Sequence, residues 1–208
     1  MTATIDNVIF DIGNVLIKWN PDRLYRKIFA SDAAMLAFYA ETGLLKRNIE
    51  FDRGEPFADG IADLTARFPN HAEAICAFDT RWEECLDGAF EDSVTLLAAL
   101  RKNGLPNYAI TNFSREKFDI TLSRFPFLGL FDDTVVSADV RMVKPDPQIF
   151  RILLDRQQLD PTRTLFIDDS AVNIATATSL GLITHHFVDP AALRRDFTAY
   201  GLPVGAAT

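Results

Sequence analysis

Short, continuous apolar runs, each closed by a polar turn and followed by a helix-like pattern, constrain this chain more than any other feature. The runs are Val8-Ile9-Phe10, Tyr108-Ala109-Ile110, Thr134-Val135-Val136, Leu165-Phe166-Ile167 and Leu182-Ile183-Thr184. Unbroken apolar character over so few residues suits strands buried on both faces. Helix candidates stand between them at 92–102 before Gly104, 115–124, 147–158, and 171–180 before Gly181. Asp146 is placed to cap a helix whose first residue is Pro147, while Gly104 and Gly181 sit where a left-handed residue ends a helix. Strand and helix alternate, so the expected fold is α/β, a doubly wound parallel sheet.

One interval breaks the alternation. From Pro21 to about Leu86 the chain carries helical patterns through Phe38, Leu44, Leu45, Phe57, Ile61, Leu64 and Phe68 but no convincing buried strand. It reads as an all-helical insertion after the first strand. A length of 208 residues fits one core with a modest insertion better than two large independent domains. The division is therefore a core of residues 1–18 and 88–208 interrupted by a helical unit at 19–87. Only the end, from Val204 onward, reads as a loose tail.

Composition narrows the partners. Lys and Arg number 21 against 29 Asp and Glu, a formal charge of −8, which repels the phosphate backbone and disfavours a general nucleic-acid-binding role. An anionic metabolite then needs a metal or a buried lysine to reverse the field locally. Cys76 and Cys85 lie too far apart along a helix for a disulfide and form no metal-ligand pattern, so they read as reduced thiols. No run approaches the roughly 20 apolar residues of a membrane span, and the first residues show no basic leader before an apolar stretch. The expected location is the cytoplasm.

In open parallel sheets ligands gather at the carboxyl ends of the strands. There the chain places Asp11, Thr111-Asn112, Lys144 and Asp168-Asp169. Three carboxylates brought together repel one another and raise each other's pKa unless a cation intervenes, and Mg²⁺ prefers such oxygen ligands. With Lys144 and a metal offsetting charge, Asp11 could attack phosphorus in line while Thr111 and Asn112 hold phosphoryl oxygens.

Four segments carry a resemblance across the core. FDIGNVL, ITN, KPDPQIF and IDDSAVN resemble, in order, the four motifs of the haloacid dehalogenase superfamily, and the insertion is similar to that family's C1-type helical cap. The resemblance implies that Asp11 is nucleophile and metal ligand and that the Gly13 carbonyl is a second ligand. It implies that Thr111 and Lys144 bind phosphate, that Asp168 and Asp169 complete a Mg²⁺ site with Asp169 the direct ligand, and that Asn173 supports the acidic pair. Asn14 and Asn112 are expected to bind substrate beside them; in the cap, Arg47 is the expected substrate-binding residue, with Lys46, Arg53 and Trp19 also placed for specificity, and a solvated helix face is the alternative account of the basic residues.

Two residues after the nucleophile, most phosphatases of this family carry a second Asp that protonates the leaving group; here that position is Gly13. Losing a general acid costs roughly 10² to 10⁴ in rate unless another group or a good leaving group compensates. The DIGNVL segment together with Arg53-Gly54-Glu55 is similar to a branch, within subfamily IA, of α-D-glucose-1-phosphate phosphatase-like enzymes, which implies a small sugar phosphate as substrate. Two rivals stand beside this reading. One is a metal-free 2-haloacid dehalogenase, against which the acidic pair argues. The other is a weakly catalytic phosphate-binding regulator, which the loss at Gly13 allows. Asp168-Asp169 could also simply cap the helix after them. His185-His186 reads as structural or solvent-facing, because adjacent residues on a strand point to opposite faces.

Overall fold

The computed structural model describes residues 4–205, so the part of the tail beyond Gly205 lies outside the described residues. β1 (Asn7–Phe10) leads through a tight turn into β2 (Ile17–Trp19), after which come α1 (Asp22–Tyr25), α2 (Asp32–Thr42), α3 (Leu44–Asp52), α4 (Phe57–Arg67) and α5 (Ala72–Thr80). The chain returns through β3 (Leu86–Ala89), α6 (Glu91–Lys102), β4 (Asn107–Thr111), α7 (Arg115–Arg124), β5 (Asp133–Val136) and α8 (Ser137–Val140). It closes with α9 (Pro147–Gln157), β6 (Thr164–Asp168), α10 (Ala171–Ser179), β7 (Ile183–His186) and α11 (Pro190–Ala199).

The main sheet runs β5-β4-β1-β6-β7, and each neighbouring pair is parallel. Its strands match the apolar runs, with the last shifted one residue onward to Ile183. Because side chains alternate across a strand, each run feeds two layers at once. Val8, Phe10, Ala109, Leu165 and Ile167 join one apolar cluster with Leu96, Leu100, Leu193 and Phe197 of α6 and α11. Ile9, Ile110 and Phe166 join a second cluster with Ile149, Phe150 and Leu153 of α9. Both faces of the sheet are thus covered, which is why unbroken apolar runs rather than alternating ones encode it.

The boundary chemistry follows the residues named from sequence. Asp146 accepts from the Gln148 amide and Pro147 opens α9. Gly104 and Gly181 adopt φ of 72° and 87°, the left-handed region that costs glycine little.

Between β2 and β3 the described elements are helices. They do not close on themselves alone. β2 and β3 pair antiparallel, a small two-stranded ribbon at the base of the insertion that the sequence reading did not anticipate. Three and four residues are too few to show a period. The insertion's apolar interior centres on Tyr25, Phe38, Phe51, Phe57 and Phe78, each essentially inaccessible. The Phe51 and Phe57 rings stack at 4.2 Å. This interior joins the cluster on one side of the sheet, so the insertion and the core share apolar packing.

Candidate active site

β1 occupies the centre of the sheet, and strands depart from it in opposite directions, β4 on one side and β6 on the other. A crevice opens at such a switch point, at the carboxyl ends of the strands. Asp11 follows β1 directly, Thr111 ends β4, Asp168 ends β6 and Lys144 lies in the loop before α9.

Lys144 is buried, and its ammonium bridges two carboxylates, 2.9 Å from Asp11 Oδ1 and 2.6 Å from Asp168 Oδ2. Asp168 is fully buried and saturated on the protein side. The Asn173 amide donates to both its oxygens at 2.9 and 3.0 Å, and the Ser170 amide donates to Oδ1 at 2.8 Å. Capping therefore explains one of these donors only; Asp169 is the exposed member of the pair, with Asn14 hydrogen-bonded to its carboxylate. This favours Asp169 over Asp168 as a residue that meets something from outside.

The Asp11 oxygens are divided by function. Oδ1 accepts from the Ile12 amide at 2.7 Å and from Lys144, whereas Oδ2 accepts from no group among the described residues. One oxygen fixes the carboxylate and the other is left available. Burial pushes the Asp11 carboxyl up to about 7; Lys144 opposes the rise and Asp168 adds to it. Burial alone would lower the Lys144 ammonium, but the two carboxylates outweigh it and raise its pKa. Asp169 is also raised, by burial and then by the charge of Asp168.

Asp11, Asp168 and Asp169 each offer an oxygen within 4.8 Å of the others. Three carboxylates and the Lys144 ammonium leave an excess of two negative charges. Hard oxygen donors at this spacing, with a twofold negative excess, fit a divalent cation of the magnesium type. Such a cation would reverse the upward shift at Asp11.

Beside the cluster lies a cavity of about 460 Å³, within the range that binds small molecules. Asp11, Gly13, Asn14, Asn112, Lys144, Asp169 and Asn173 line it. Three expected residues do not. Asp168 is fully buried, bonded to Lys144, Asn173 and the Ser170 amide. Thr111 is fully buried at the strand end, and its neighbours Asn112, Phe113 and Ser114 face the cavity instead. Arg47, expected to bind substrate, is not in the wall. Its guanidinium grips Glu55 through both nitrogens, one bond of 3.0 Å and one shorter. An arginine so paired within the insertion has little charge left for a ligand. Of the other cap residues, Trp19 lines the cavity, Lys46 is exposed, and Arg53 pairs with Glu50.

Asn112 lines the cavity and has a second duty. Its side-chain amide donates to the Lys144 carbonyl at 2.9 Å and accepts from the Lys144 amide at 2.7 Å. This reciprocal pair holds the loop that carries the lysine, so Asn112 positions Lys144 as well as facing the cavity. Asn14 sits at φ 54°, a conformation asparagine tolerates better than most residues, and accepts from the Trp19 amide at 3.1 Å. His185 is buried against Asp196 at 2.6 Å, while His186 is exposed and meets the Asp169 carbonyl at 3.0 Å. Neither histidine lines the cavity.

Sequence reasoning missed Asn48, Asp52, Phe57, Trp82, Phe113 and Lys117, all in the cavity wall. Asp52 immediately precedes the Arg53-Gly54-Glu55 triplet, the one signal that could have drawn attention to it. Phe113 lies in the loop after β4, and the others come from helical segments whose orientation depends on packing.

A buried lysine spanning two carboxylates at the ends of adjacent parallel strands, with a third, exposed carboxylate beside them, defines a hydrolase-type centre on an α/β sheet. The family comparison agrees: the model for haloacid dehalogenase-like hydrolases matches residues 5–181, and the chain belongs to this family. It is 27% identical over 194 residues to a sesquiterpene phosphatase of Aspergillus oryzae, covering 92% of this chain and 94% of that protein. It is 25% identical over 211 residues to a D-ribitol-5-phosphate phosphatase of Bacteroides thetaiotaomicron, covering 93% and 97%. It also matches rat bifunctional epoxide hydrolase 2, 33% identical over 103 residues, but these span only 19% of that larger protein. In fold it is similar to a Bacteroides thetaiotaomicron enzyme of the family solved with magnesium and inorganic phosphate. That likeness has a TM-score of 0.69 at 23% identity, over 89% of this chain and 95% of the other. Among the described residues no helix is long and apolar enough to cross a membrane.

Proposed function

We propose that this protein hydrolyses phosphate monoesters of small metabolites with Mg²⁺, through an aspartyl-phosphate formed on Asp11. The observation that carries this reading is the division of labour at Asp11, which lines the cavity: Oδ1 is held by Lys144 and the Ile12 amide while Oδ2 has no hydrogen-bond partner among the described residues. Asp11 Oδ2 attacks phosphorus, and the bond from phosphorus to the ester oxygen breaks. Lys144 neutralises charge beside the transferred group, and Asn112, Phe113 and Ser114 wall the cavity next to it. Water then hydrolyses the aspartyl-phosphate and restores the carboxylate. Asp11, Asp169 and the Gly13 carbonyl are the residues proposed to hold Mg²⁺, with Asp168 and Asn173 keeping the set aligned. When bound, the ion supplies positive charge that offsets the anionic carboxylate and phosphate as they approach.

For the substrate, a sugar phosphate is the first reading, supported by the similarity to a ribitol-5-phosphate phosphatase and by the Asn14, Asn48 and Lys117 side chains in the wall. A terpenoid-like phosphate is the second, favoured by Trp19, Phe57, Trp82 and Phe113 in the same wall and by the similarity to a sesquiterpene phosphatase. We propose further that residues 19–87 act as a cap that excludes water over the site. The deciding experiment is release of phosphate and halide from a panel of sugar phosphates, prenyl phosphates and 2-haloacids, with Mg²⁺ and with EDTA. Magnesium-dependent phosphate release is the expected result. EDTA-resistant halide release would replace this reading by dehalogenation.

A further inference from the structure

An ester oxygen leaves phosphorus more easily when it takes up a proton, and Gly13 offers no side chain to give one. Five titratable residues line the cavity: Asp11, Asp52, Lys117, Lys144 and Asp169. Asp11 forms the bond to phosphorus, and Lys144 is held between Asp11 and Asp168. Lys117 is committed to Asp79, donating to its carbonyl at 3.1 Å and to its carboxylate. Asp169 belongs to the acidic cluster proposed to hold Mg²⁺. From this elimination and from its placement we infer that Asp52, delivered by the helical insertion, is the general acid that protonates the leaving oxygen; the inference rests on the phosphatase reading above.

The placement is built. Asp52 is the last residue of α3 and is tied to the core through its own backbone, its carbonyl accepting from Ser137 Oγ at 2.6 Å. Two residues on, Gly54 has φ +96°, and a Cβ there would stand 2.9 Å from the Ala138 carbonyl. Only glycine permits so close an approach in that conformation. The segment that carries Asp52 is thereby fixed against the core, and Asn48, one turn earlier on α3, donates to its Oδ2 at 3.0 Å.

The environment favours a carboxyl that keeps its proton near neutral pH. Burial pushes Asp52 up to about 7 and the charge of Asp11 adds to the rise, while the Ser114 amide and Asn48 oppose it. A carboxylate in the last turn of a helix also meets the negative end of the helix dipole. A purely structural aspartate is poorly served by such a position.

The step balances. As the Asp11 carboxylate bonds to phosphorus, the P–O bond breaks, and the Asp52 carboxyl proton passes to the leaving oxygen to release an alcohol. The Asp52 carboxylate then takes a proton from the water that attacks the aspartyl-phosphate, which returns both residues to their starting states and releases inorganic phosphate.

The test compares wild-type protein with Asp52→Asn on two phosphate esters: 4-nitrophenyl phosphate, whose leaving group departs as a stable anion, and an alkyl phosphate, whose alcohol must be protonated. Turnover of the alkyl ester is expected to fall by about 10² to 10⁴, and that of the nitrophenyl ester by far less. Equal losses on both esters, or no loss on either, overturn the assignment. If the thermal melt shows that Asp52→Asn does not fold, Asp52→Ser replaces it under the same criteria. If the wild type releases phosphate from neither ester, the phosphatase reading itself falls and the inference with it, an outcome distinct from a variant that loses both activities equally.

Discussion

At the scale of single residues, three carboxylates and one lysine carry the site, and each has a different stake in it. Asp11 lines the cavity with one oxygen held by Lys144 and the Ile12 amide and the other without a partner among the described residues, so Asp11→Asn is expected to lower turnover by at least about 10³ without loss of fold, read from phosphate release and circular dichroism. Asn173 spans both oxygens of Asp168, and outer partners of this kind typically change metal affinity by about 10- to 100-fold. Asn173→Ala should weaken Mg²⁺ binding within that range by calorimetry. An unchanged affinity would mean that Asp168 needs no such support. The thiols separate in the same way. Burial pushes Cys85 up to about 12, so it stays protonated at pH 8 and resists thiolate chemistry. Ellman's reagent should label partly exposed Cys76 first in the native protein and both cysteines after denaturation.

At the scale of elements, glycines record where the insertion is pressed hardest. A Cβ at Gly60 in α4 would stand 2.2 Å from Phe51 Cε1 on α3, inside the aromatic stack of Phe51 and Phe57. Gly60→Ala is therefore expected to destabilise the fold by about 1–3 kcal/mol despite alanine's better helix propensity. Urea unfolding measures it, and a gain in stability would show that α3 and α4 separate freely. The Arg53-Gly54-Glu55 triplet was read from sequence as a mark of a substrate class. In the structure its residues have mechanical duties: Glu55 ties down Arg47, Arg53 pairs with Glu50, and Gly54 lets the chain approach α8.

At the scale of the whole molecule, the cavity is walled by residues of both the sheet ends and the helical insertion, and a few contacts hold these together. Lys117 of α7 is buried against Asp79 of α5, with its ammonium 4.3 Å from the Phe57 ring centre. Cation binding at the acidic cluster should stabilise the folded molecule as a whole, because the unfolded chain holds no such cluster. At 100 times its dissociation constant, Mg²⁺ should contribute about 2.7 kcal/mol. A rise in melting temperature that EDTA reverses and Asp169→Asn removes is the expected signature. No rise at saturating Mg²⁺ would count against a metal at these carboxylates.

The sequence by itself determined the sheet. Runs such as Val8-Ile9-Phe10 and Leu165-Phe166-Ile167 must be strands buried on both faces, and parallel strands place Asp11 and Asp168-Asp169 at the same end of the sheet, because the residue after each run inherits the strand's direction. Local chemistry also determined Asp146 as a cap and Gly104 and Gly181 as helix ends. Tertiary structure decided what the helices contribute. Arg47 could face the cavity or its own insertion, and only the meeting of α3 with Glu55 turned it away. Asp52 carries no motif of its own. It reaches the cavity because Gly54 allows the insertion against α8 and Ser137 holds its carbonyl, contacts between residues 85 positions apart that no local pattern encodes.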